Sequence, residues 1–449
     1  MKTLASEPCS ASALASILSA RLESFLAPLL LRLDQVLDRR LVQTFAATIS
    51  ILLQQRYRAT GLLLSELGAF LAGFEHAPAG TKRLSNLLRS KRWRSVLVEE
   101  FLWNAAEREL RDLVCRGHDA LLLWDESVWE KPESIALEGL GSVRSAHAAR
   151  LKRIRKGFYT PAGPPVFVPG LQWLSLLLMG RSGPPTLAKM RWWTTRGARA
   201  EEKRAVEEAL LEQCASAWGK MVLHVFDRGF AGAPWLASLS RTEARFVLRW
   251  PARVRLQDLL GEEAPAWMHA RGQKTRSRRQ IWDAHHHSYR PGGVLALPVR
   301  HPAYAGPLWL VVSRRGAGHE PWYLLTNEPA ESATQMWRIV FAYARRWQIE
   351  MAFRFTKSEL ALESPRLWFW ENRQKLLQMV ALAYAFLLRL LEPLPEVQKL
   401  KTALLSRFCP RTGKRSRDVS TPLYRLRAAI CYLFLSLRTP LLPQLQSSG

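Results

Sequence analysis

The sequence predicts an α/β protein with an all-helical start, on three observations. Residues 1–115 place apolar side chains at three- and four-residue intervals and hold few strand formers. From residue 118, short apolar runs that end in acid alternate with amphipathic stretches. The 449-residue chain is 48% hydrophobic and 23% charged, which excludes wholesale disorder and allows a large core. Such a length corresponds to about two to four domains.

The elements follow in order. Ala11–Leu37, Arg40–Ala59, Thr60–Phe74 and Trp93–Arg111 are predicted helices. Between the last two lies Thr81–Trp93, read as one basic helix, with Lys82, Arg83, Arg89, Lys91 and Arg92 in it and Arg94 just beyond. Ala120–Ser127 is a buried strand ending in acid, followed by a basic run through Arg144, Arg150, Lys152, Arg153, Arg155 and Lys156. Phe167–Met179 and Leu187–Thr195 are predicted strands, and Arg196–Trp218 a charged amphipathic helix. Lys220–Phe230 is a second buried strand that ends in acid and turns at Gly229, ahead of a helix, Pro234–Arg241, and a strand, Arg245–Trp250.

Pro251 to about Trp309 changes character. It is rich in Arg, Gly and Pro, and is predicted as an irregular, β-rich insertion with strands following at Leu308–Ser313 and Trp322–Thr326. One long helix is predicted from Ser332, its N-cap, to about Leu360. Another runs from about Trp370 to Leu391 and is ended by Pro393 and Pro395; Lys399–Lys414 is basic, and Pro440–Gly449 is expected to be disordered. The boundaries expected are 1–115, 116–250, 251–325, 326–392 and 393–449.

Charge narrows the function classes. Lys and Arg number 65 against 38 Asp and Glu, a net charge of +27, so a polyanion is the expected partner. The bland readings, an anionic membrane surface or a ribosomal setting, need neither the 18 tryptophans nor the carboxylates described below. No apolar run approaches the roughly 18 residues that span a bilayer, the longest being Met379–Leu388, and Arg21 and Glu23 interrupt the first apolar stretch, so no signal peptide and no membrane partner are expected. Cys9, Cys115, Cys214, Cys409 and Cys431 include no CxxC pair, which argues against a disulfide framework or a cysteine zinc site and for reduced thiols in a cytosol. The triplet His285, His286 and His287 is read as solvated loop rather than metal site. No nucleotide-binding glycine loop or nucleophile elbow is present.

Two acids and one helix carry chemistry. Asp125 and Asp227 each close a buried strand, the edge at which α/β sheets bind ligands. Taken alone, each is more readily a turn-forming aspartate that makes a local hydrogen bond. The predicted long helix holds Tyr343, Arg346, Glu350 and Lys357 at offsets 0, 3, 7 and 14. At roughly 100° per residue these fall at about 0°, −60°, −20° and −40°, so all four are expected in one narrow stripe. An acid among two cations and a phenol is either a helix-surface ion network or a phosphodiester site in which carboxylates hold metal and cations hold phosphate.

The spacing Y-(2)-R-(3)-E-(6)-K resembles the signature of DDE transposases of bacterial insertion sequences, the insertion-sequence-four type, at Tyr343, Arg346, Glu350 and Lys357. Asp227-Arg228-Gly229-Phe230 is similar to the group's second motif, and Asp125-Glu126-Ser127 to its first. The separations, 227 − 125 = 102 and 350 − 227 = 123 residues, are compatible with the group, and the likeness covers roughly residues 80–390.

The resemblance implies a ribonuclease-H-like catalytic core with a β-rich insertion, preceded by a helical DNA-binding domain. It implies binding of the terminal inverted repeats of a mobile element and cut-and-paste DNA cleavage and strand transfer. Asp125, Asp227 and Glu350 would be catalytic and hold two ions, Mg²⁺ or Mn²⁺, with Asp125, preferred over Glu126, shared between them. Tyr343, Arg346, Lys357 and Arg228 would bind DNA phosphate, and Lys82, Arg83, Arg89, Lys91, Arg92 and Arg94 would contact duplex DNA. Trp267, Trp282, Trp309 and Trp322 are the tryptophans from which a base-stacking partner would come. A homodimer is expected on DNA, with the helices after Pro393 and Leu423–Leu437 as candidate contacts unless that segment packs on its own core. A bacterial, cytoplasmic, nucleoid-associated protein follows. The competing readings are a catalytically inactive transposase-derived DNA-binding protein and a hydrolysis-only endonuclease on the same core.

Overall fold

The computed structural model describes residues 10–55, 61–134, 136–146, 164–283, 288–314, 316, 320–410 and 423–437. Cys9, the basic residues 147–156, the histidine triplet 285–287 and the last residues, 438–449, lie outside them, as does 411–422 within the basic stretch after Lys399. The described residues form a mixed α/β architecture with one large sheet and a helical N-terminal region.

The helical start holds α1 (Ala11–Asp34), α2 (Arg39–Gln54), α3 (Leu64–Ala72), α4 (Ala77–Arg89) and α5 (Val96–Cys115). Ser10 and Asp38 cap α1 and α2 by accepting from the amides of Ala13 and Leu41. By length and composition alone α1 is long and apolar enough to cross a membrane. Here Leu14, Leu18, Leu22, Leu26, Leu29 and Leu33 form a buried stripe along one face. The basic stretch expected as a single helix divides: Lys82, Arg83 and Arg89 project from α4, while Lys91, Arg92 and Arg94 sit in the turn before α5. All six are exposed, because Leu84, Leu87, Leu88 and Trp93 take the inward positions.

Strands β1 (Ala120–Glu130), β2 (Gly141–Arg144), β3 (Phe167–Met179) and β4 (Thr186–Trp193) precede α6 (Lys203–Trp218). Then come β5 (Val222–Phe226), α7 (Ala233–Arg241) and β6 (Arg245–Arg249). β3 pairs antiparallel with β1 on one side and with β2 and β4 on the other; β1, β5 and β6 run parallel. The next stretch gives β7 (Arg255–Gln257), β8 (Glu263–Pro265), a short α8 (Ala266–Ala270), β9 (Ser277–Asp283), β10 (Ser288–His301), β11 (Tyr304–Arg314) and β12 (Trp322–Thr326). It continues the sheet rather than standing apart, since β12 pairs antiparallel with β6 and carries β11 and β10 with it.

Ser332 starts α9 (Ala333–Ala344) with a capping box to Gln335. The single helix expected to reach Leu360 is interrupted, and α10 (Trp347–Ser358) follows. The chain ends in α11 (Trp370–Arg389), α12 (Pro395–Phe408) and α13 (Leu423–Leu437). α11 is buried almost all round, and one apolar core joins α1, α2, α4 and α5 to α11 and α13. α13 turns Leu426, Ala429, Ile430 and Leu433 into that core, and its buried Arg427 donates to the carbonyls of Leu52 (3.1 Å) and Gln55 (2.5 Å) at the end of α2. Of the two roles expected for Leu423–Leu437, the described residues take the intramolecular one.

Candidate active site

The run Ala120–Trp124 is apolar and buried, which fixes β1 in the middle of the sheet and carries Asp125 to the point where burial begins to relax. The strand does not stop at Asp125, as expected from sequence, but continues to Glu130. Leu123 pairs with Val225 in the parallel register, so two residues further Asp125 comes abreast of Asp227, which follows the end of β5. The Asp227 carboxylate accepts from the Gly229 amide at 2.7 Å and caps the tight turn Arg228–Phe230. Beneath it Trp124, Phe226, Phe230 and Trp235 pack ring against ring, with centroids 5.2 to 6.4 Å apart.

Arg346 gathers the acids. Its Nη1 donates to Asp125 Oδ2 at 3.2 Å, and its Nη2 to Glu350 Oε1. Burial pushes the Asp125 carboxyl up to about 7, with Asp227 and Glu350 adding to the rise and Arg346 opposing it. Burial also raises Asp227, against the Gly229 hydrogen bond and Arg346. Burial would lower the Arg346 guanidinium, but Tyr343, Asp125 and Glu350 outweigh it and hold the group above its ordinary range. Tyr343 is buried, edge-on to Trp322 at 4.9 Å, with the Arg346 guanidinium carbon 5.8 Å from its ring centroid.

The four signature residues reach the site by a kink, not along one straight stripe. The amides of Arg345, Arg346, Gln348 and Ile349 bond carbonyls three residues back, at 2.9 to 3.2 Å. Such a tightened turn advances roughly 120° per residue instead of 100°, so the phases computed for a continuous helix do not hold. Tyr343 ends α9, Arg346 caps α10, Glu350 lies in its first turn and Lys357 in its last.

Lys357 is tied inward. Its Nζ donates to the Val128 carbonyl at 2.6 Å and pairs with Glu363 at 2.8 Å, which clamps α10 onto β1 close to Asp125. As placed, it braces the Glu350 helix, and a phosphate contact requires exchange of Glu363. Glu126, next to Asp125, is bonded instead to Lys203, with Glu207 and Arg204 adjoining; burial and the hydrogen bond to Glu126 push Glu207 up to about 8. Asp125 rather than Glu126 therefore stands with Arg346 and Glu350. That side network on α6 was not found from sequence, where Arg196–Trp218 showed only an amphipathic charged pattern.

Arg228 lines a separate cleft of about 390 Å³ with Arg249, Arg253, Tyr323 and Glu320. Of the tryptophans weighed for stacking, Trp322 is engaged by Tyr343, Trp309 packs partly buried on the core, and Trp267 lies 6.0 Å from Arg271; nothing is described of the Trp282 side chain.

Among the described residues, no three His, Cys, Asp or Glu side chains stand close enough as placed to hold an ion, and Arg346 bridges Asp125 and Glu350 instead. The donor set still fits a divalent cation. It is made of hard carboxylate oxygens, and burial and Asp227 disfavour ionisation of Asp125, a cost that a cation would offset.

Asp125 has a consequence for stability. Its carboxyl holds a proton up to about pH 7 in the folded protein against an ordinary value of 3.8, so between these values the folded form binds more protons than the unfolded chain. Stability is lost as pH rises through that window. In metal-free protein, Asp125→Asn is expected to stabilise by about 1–3 kcal/mol at pH 8 and to give little gain at pH 4. Thermal melts of both proteins across that range check it; an equal gain at both pH values would reject the buried-charge account.

Residues 187–386 match the family model of the Transposase DDE domain, a span that holds Asp227 and all four signature residues while Asp125 lies before it. Among solved structures, the chain is similar to the piggyBac transposase in a cryo-EM structure of its synaptic complex with hairpin DNA, at 12% identity and a TM-score of 0.41, over 90% of this chain and 74% of that one. The domain match, falling on the segment that brings Arg346 and Glu350 to Asp125, supports a DDE transposase.

Proposed function

We propose that this chain is a transposase of the insertion-sequence-four type, which binds the terminal inverted repeats of a mobile element and cuts and joins DNA there with two divalent ions, Mg²⁺ or Mn²⁺. The observation that carries this is the meeting of Asp125 with Arg346 and Glu350 beside Asp227, across 221 residues of sequence in the case of Asp125 and Arg346. The strand order β4-β3-β1-β5-β6, with β3 alone antiparallel to its neighbour β1 and the rest parallel from there on, supports a ribonuclease-H-like core.

Bound ions would supply the positive charge that stabilises the entering and leaving oxygens of a phosphodiester exchange. Asp125, central on β1, is the carboxylate suited to contact both, with Asp227 and Glu350 on either side. Arg346, whose charge is secured by its surroundings, is then free to hold a phosphate oxygen, and Tyr343 keeps that guanidinium in place from below. Lys82, Arg83, Arg89, Lys91, Arg92 and Arg94 give the helical start an exposed basic face toward duplex DNA, with Arg228 a further phosphate contact beside Asp227. Two ends joined in one event call for a homodimer on DNA. The setting is the cytoplasm of a bacterium, at its nucleoid.

The test is nicking and strand joining on a duplex bearing the element's ends, in Mg²⁺, in Mn²⁺ and in chelator. Metal-dependent cuts at the ends are expected. Tight duplex binding with no cut in either ion would overturn the catalytic reading and leave the DNA-binding one.

A further inference from the structure

A second basic surface shares no residue with the carboxylate site. It is a cleft of about 750 Å³ at the seam between the helical start and α11, with Arg89, Lys91 and Arg94 on one wall and Arg199, Phe369 and Asn372 on the other. Its floor is rigid. The buried Lys375 donates to the carbonyls of Leu88 (3.0 Å) and Ser90 (2.7 Å) and lies 5.0 Å from the Trp93 ring centroid. Trp93 Nε1 donates in turn to the Leu87 carbonyl at 2.8 Å, so the turn that presents Lys91 and Arg94 is pinned to α11.

The two acids in the cleft, Glu138 and Glu371, are both engaged by Arg199, at 3.6 and 3.2 Å, and Glu138 also accepts from the Trp370 amide at 2.7 Å. Arg89, Lys91 and Arg94 stand exposed around them. Phe369 is 52% exposed, a large apolar ring held out beside three cations by a backbone that Arg373 fixes from behind through the Leu367 carbonyl at 2.9 Å.

We propose that this cleft binds an unpaired stretch of a DNA strand, with phosphates on Arg89, Lys91 and Arg94 and a base stacked on Phe369. Cations alone would suit any polyanion. A rigid, exposed aromatic among them is the arrangement that engages bases with little regard to sequence. The volume admits about one or two nucleotides and not a duplex. An acidic peptide would satisfy the cations and leave the ring unused. The inference rests on the chain being a DNA-processing protein, since strand cutting is what creates unpaired ends.

Fluorescence anisotropy with the full chain tests it, in chelator so that no catalysis intervenes, using a labelled oligothymidine and a duplex of equal length. Phe369→Ala is expected to weaken single-strand binding about tenfold and duplex binding less than about twofold, while Phe369→Tyr keeps both. The combined Arg89→Ala, Lys91→Ala, Arg94→Ala change should lower the salt slope of single-strand binding by about 2, at roughly 0.7 per lost phosphate contact. With Phe369→Ala, equal loss on both DNA forms or no loss on either, or with the unaltered chain competition by a poly-glutamate peptide as strong as by oligothymidine, would overturn the proposal. Absence of nicking with these binding results intact would instead count against the catalytic reading alone.

Discussion

Glu350→Gln is expected to abolish metal-dependent nicking of an end-containing duplex, by more than about a thousandfold, while duplex affinity stays level or rises slightly. The amide keeps the shape of the side chain and a hydrogen-bond acceptor for Arg346, but it cannot give a divalent ion the charge it needs. Affinity does not fall because one negative charge near the phosphates is gone. Arg346→Ala and Lys357→Ala should behave differently. Each should weaken engagement of the cut end by roughly 1–3 kcal/mol and keep some metal-dependent activity. Lys357→Ala should also lower stability, because it frees α10 from the Val128 carbonyl and removes the Lys357–Glu363 pair. Ca²⁺ in place of Mg²⁺ should copy Glu350→Gln, since it takes looser, higher coordination. If Arg346 and Glu350 formed nothing more than a surface ion pair, all three substitutions would act alike by a few tenths of a kcal/mol and cutting would survive. Nicking rates and affinities of the three variants on one duplex separate these outcomes.

Arg373→Ala should cost about 3–5 kcal/mol of folding stability, read as a shift of the urea midpoint. The side chain is wholly buried on α11 between two indoles, its guanidinium carbon 5.6 Å from the rings of Trp129 and Trp370. It donates to the Leu367 carbonyl at 2.9 Å and to the Glu138 carbonyl. Burial lowers it to about 10, so it remains charged at neutral pH. Truncation would leave two carbonyls without donors and a void between the rings. Arg373→Lys should recover only part, because an ammonium cannot reach both carbonyls as a planar fork does. A loss below about 1 kcal/mol would mean that the loop around 362–370 repacks freely.

The strands were legible because their signal is local. Ala120–Trp124 is an uninterrupted apolar run and Val222–Phe226 is broken only by His224, and an acid following such a run stands at the sheet's working edge whatever its partners are. Phe167–Met179 forms a strand with the bounds the sequence predicts, although Pro169, Gly170, Gln172 and Ser175 interrupt its apolar residues. The kink was not legible. Ala344-Arg345-Arg346-Trp347 contains no Pro or Gly, and every local preference continues the helix. The turn tightens where Arg346 is held by a carboxylate 221 positions away, a contact that no window of sequence contains. Pairing of β12 with β6 is equally remote, so the sequence shows Pro251–Trp309 as an irregular, β-rich insertion without showing that its strands extend the main sheet. Lys357 fitted the signature by spacing, but its burial against Val128 and Glu363 depends on how α10 docks on β1.

The core that joins α1, α2, α4 and α5 to α11 and α13 sets a timetable for synthesis. α1, α2, α4 and α5 leave the ribosome with their leucine stripes formed but uncovered, and stay so until α11 and α13 are made. At roughly 5–20 residues per second, that interval lasts on the order of tens of seconds. During it the nascent chain carries both a basic face and an open apolar one, the kind of surface that favours aggregation. A chain truncated before residue 423 would lack α13 and could not close this core.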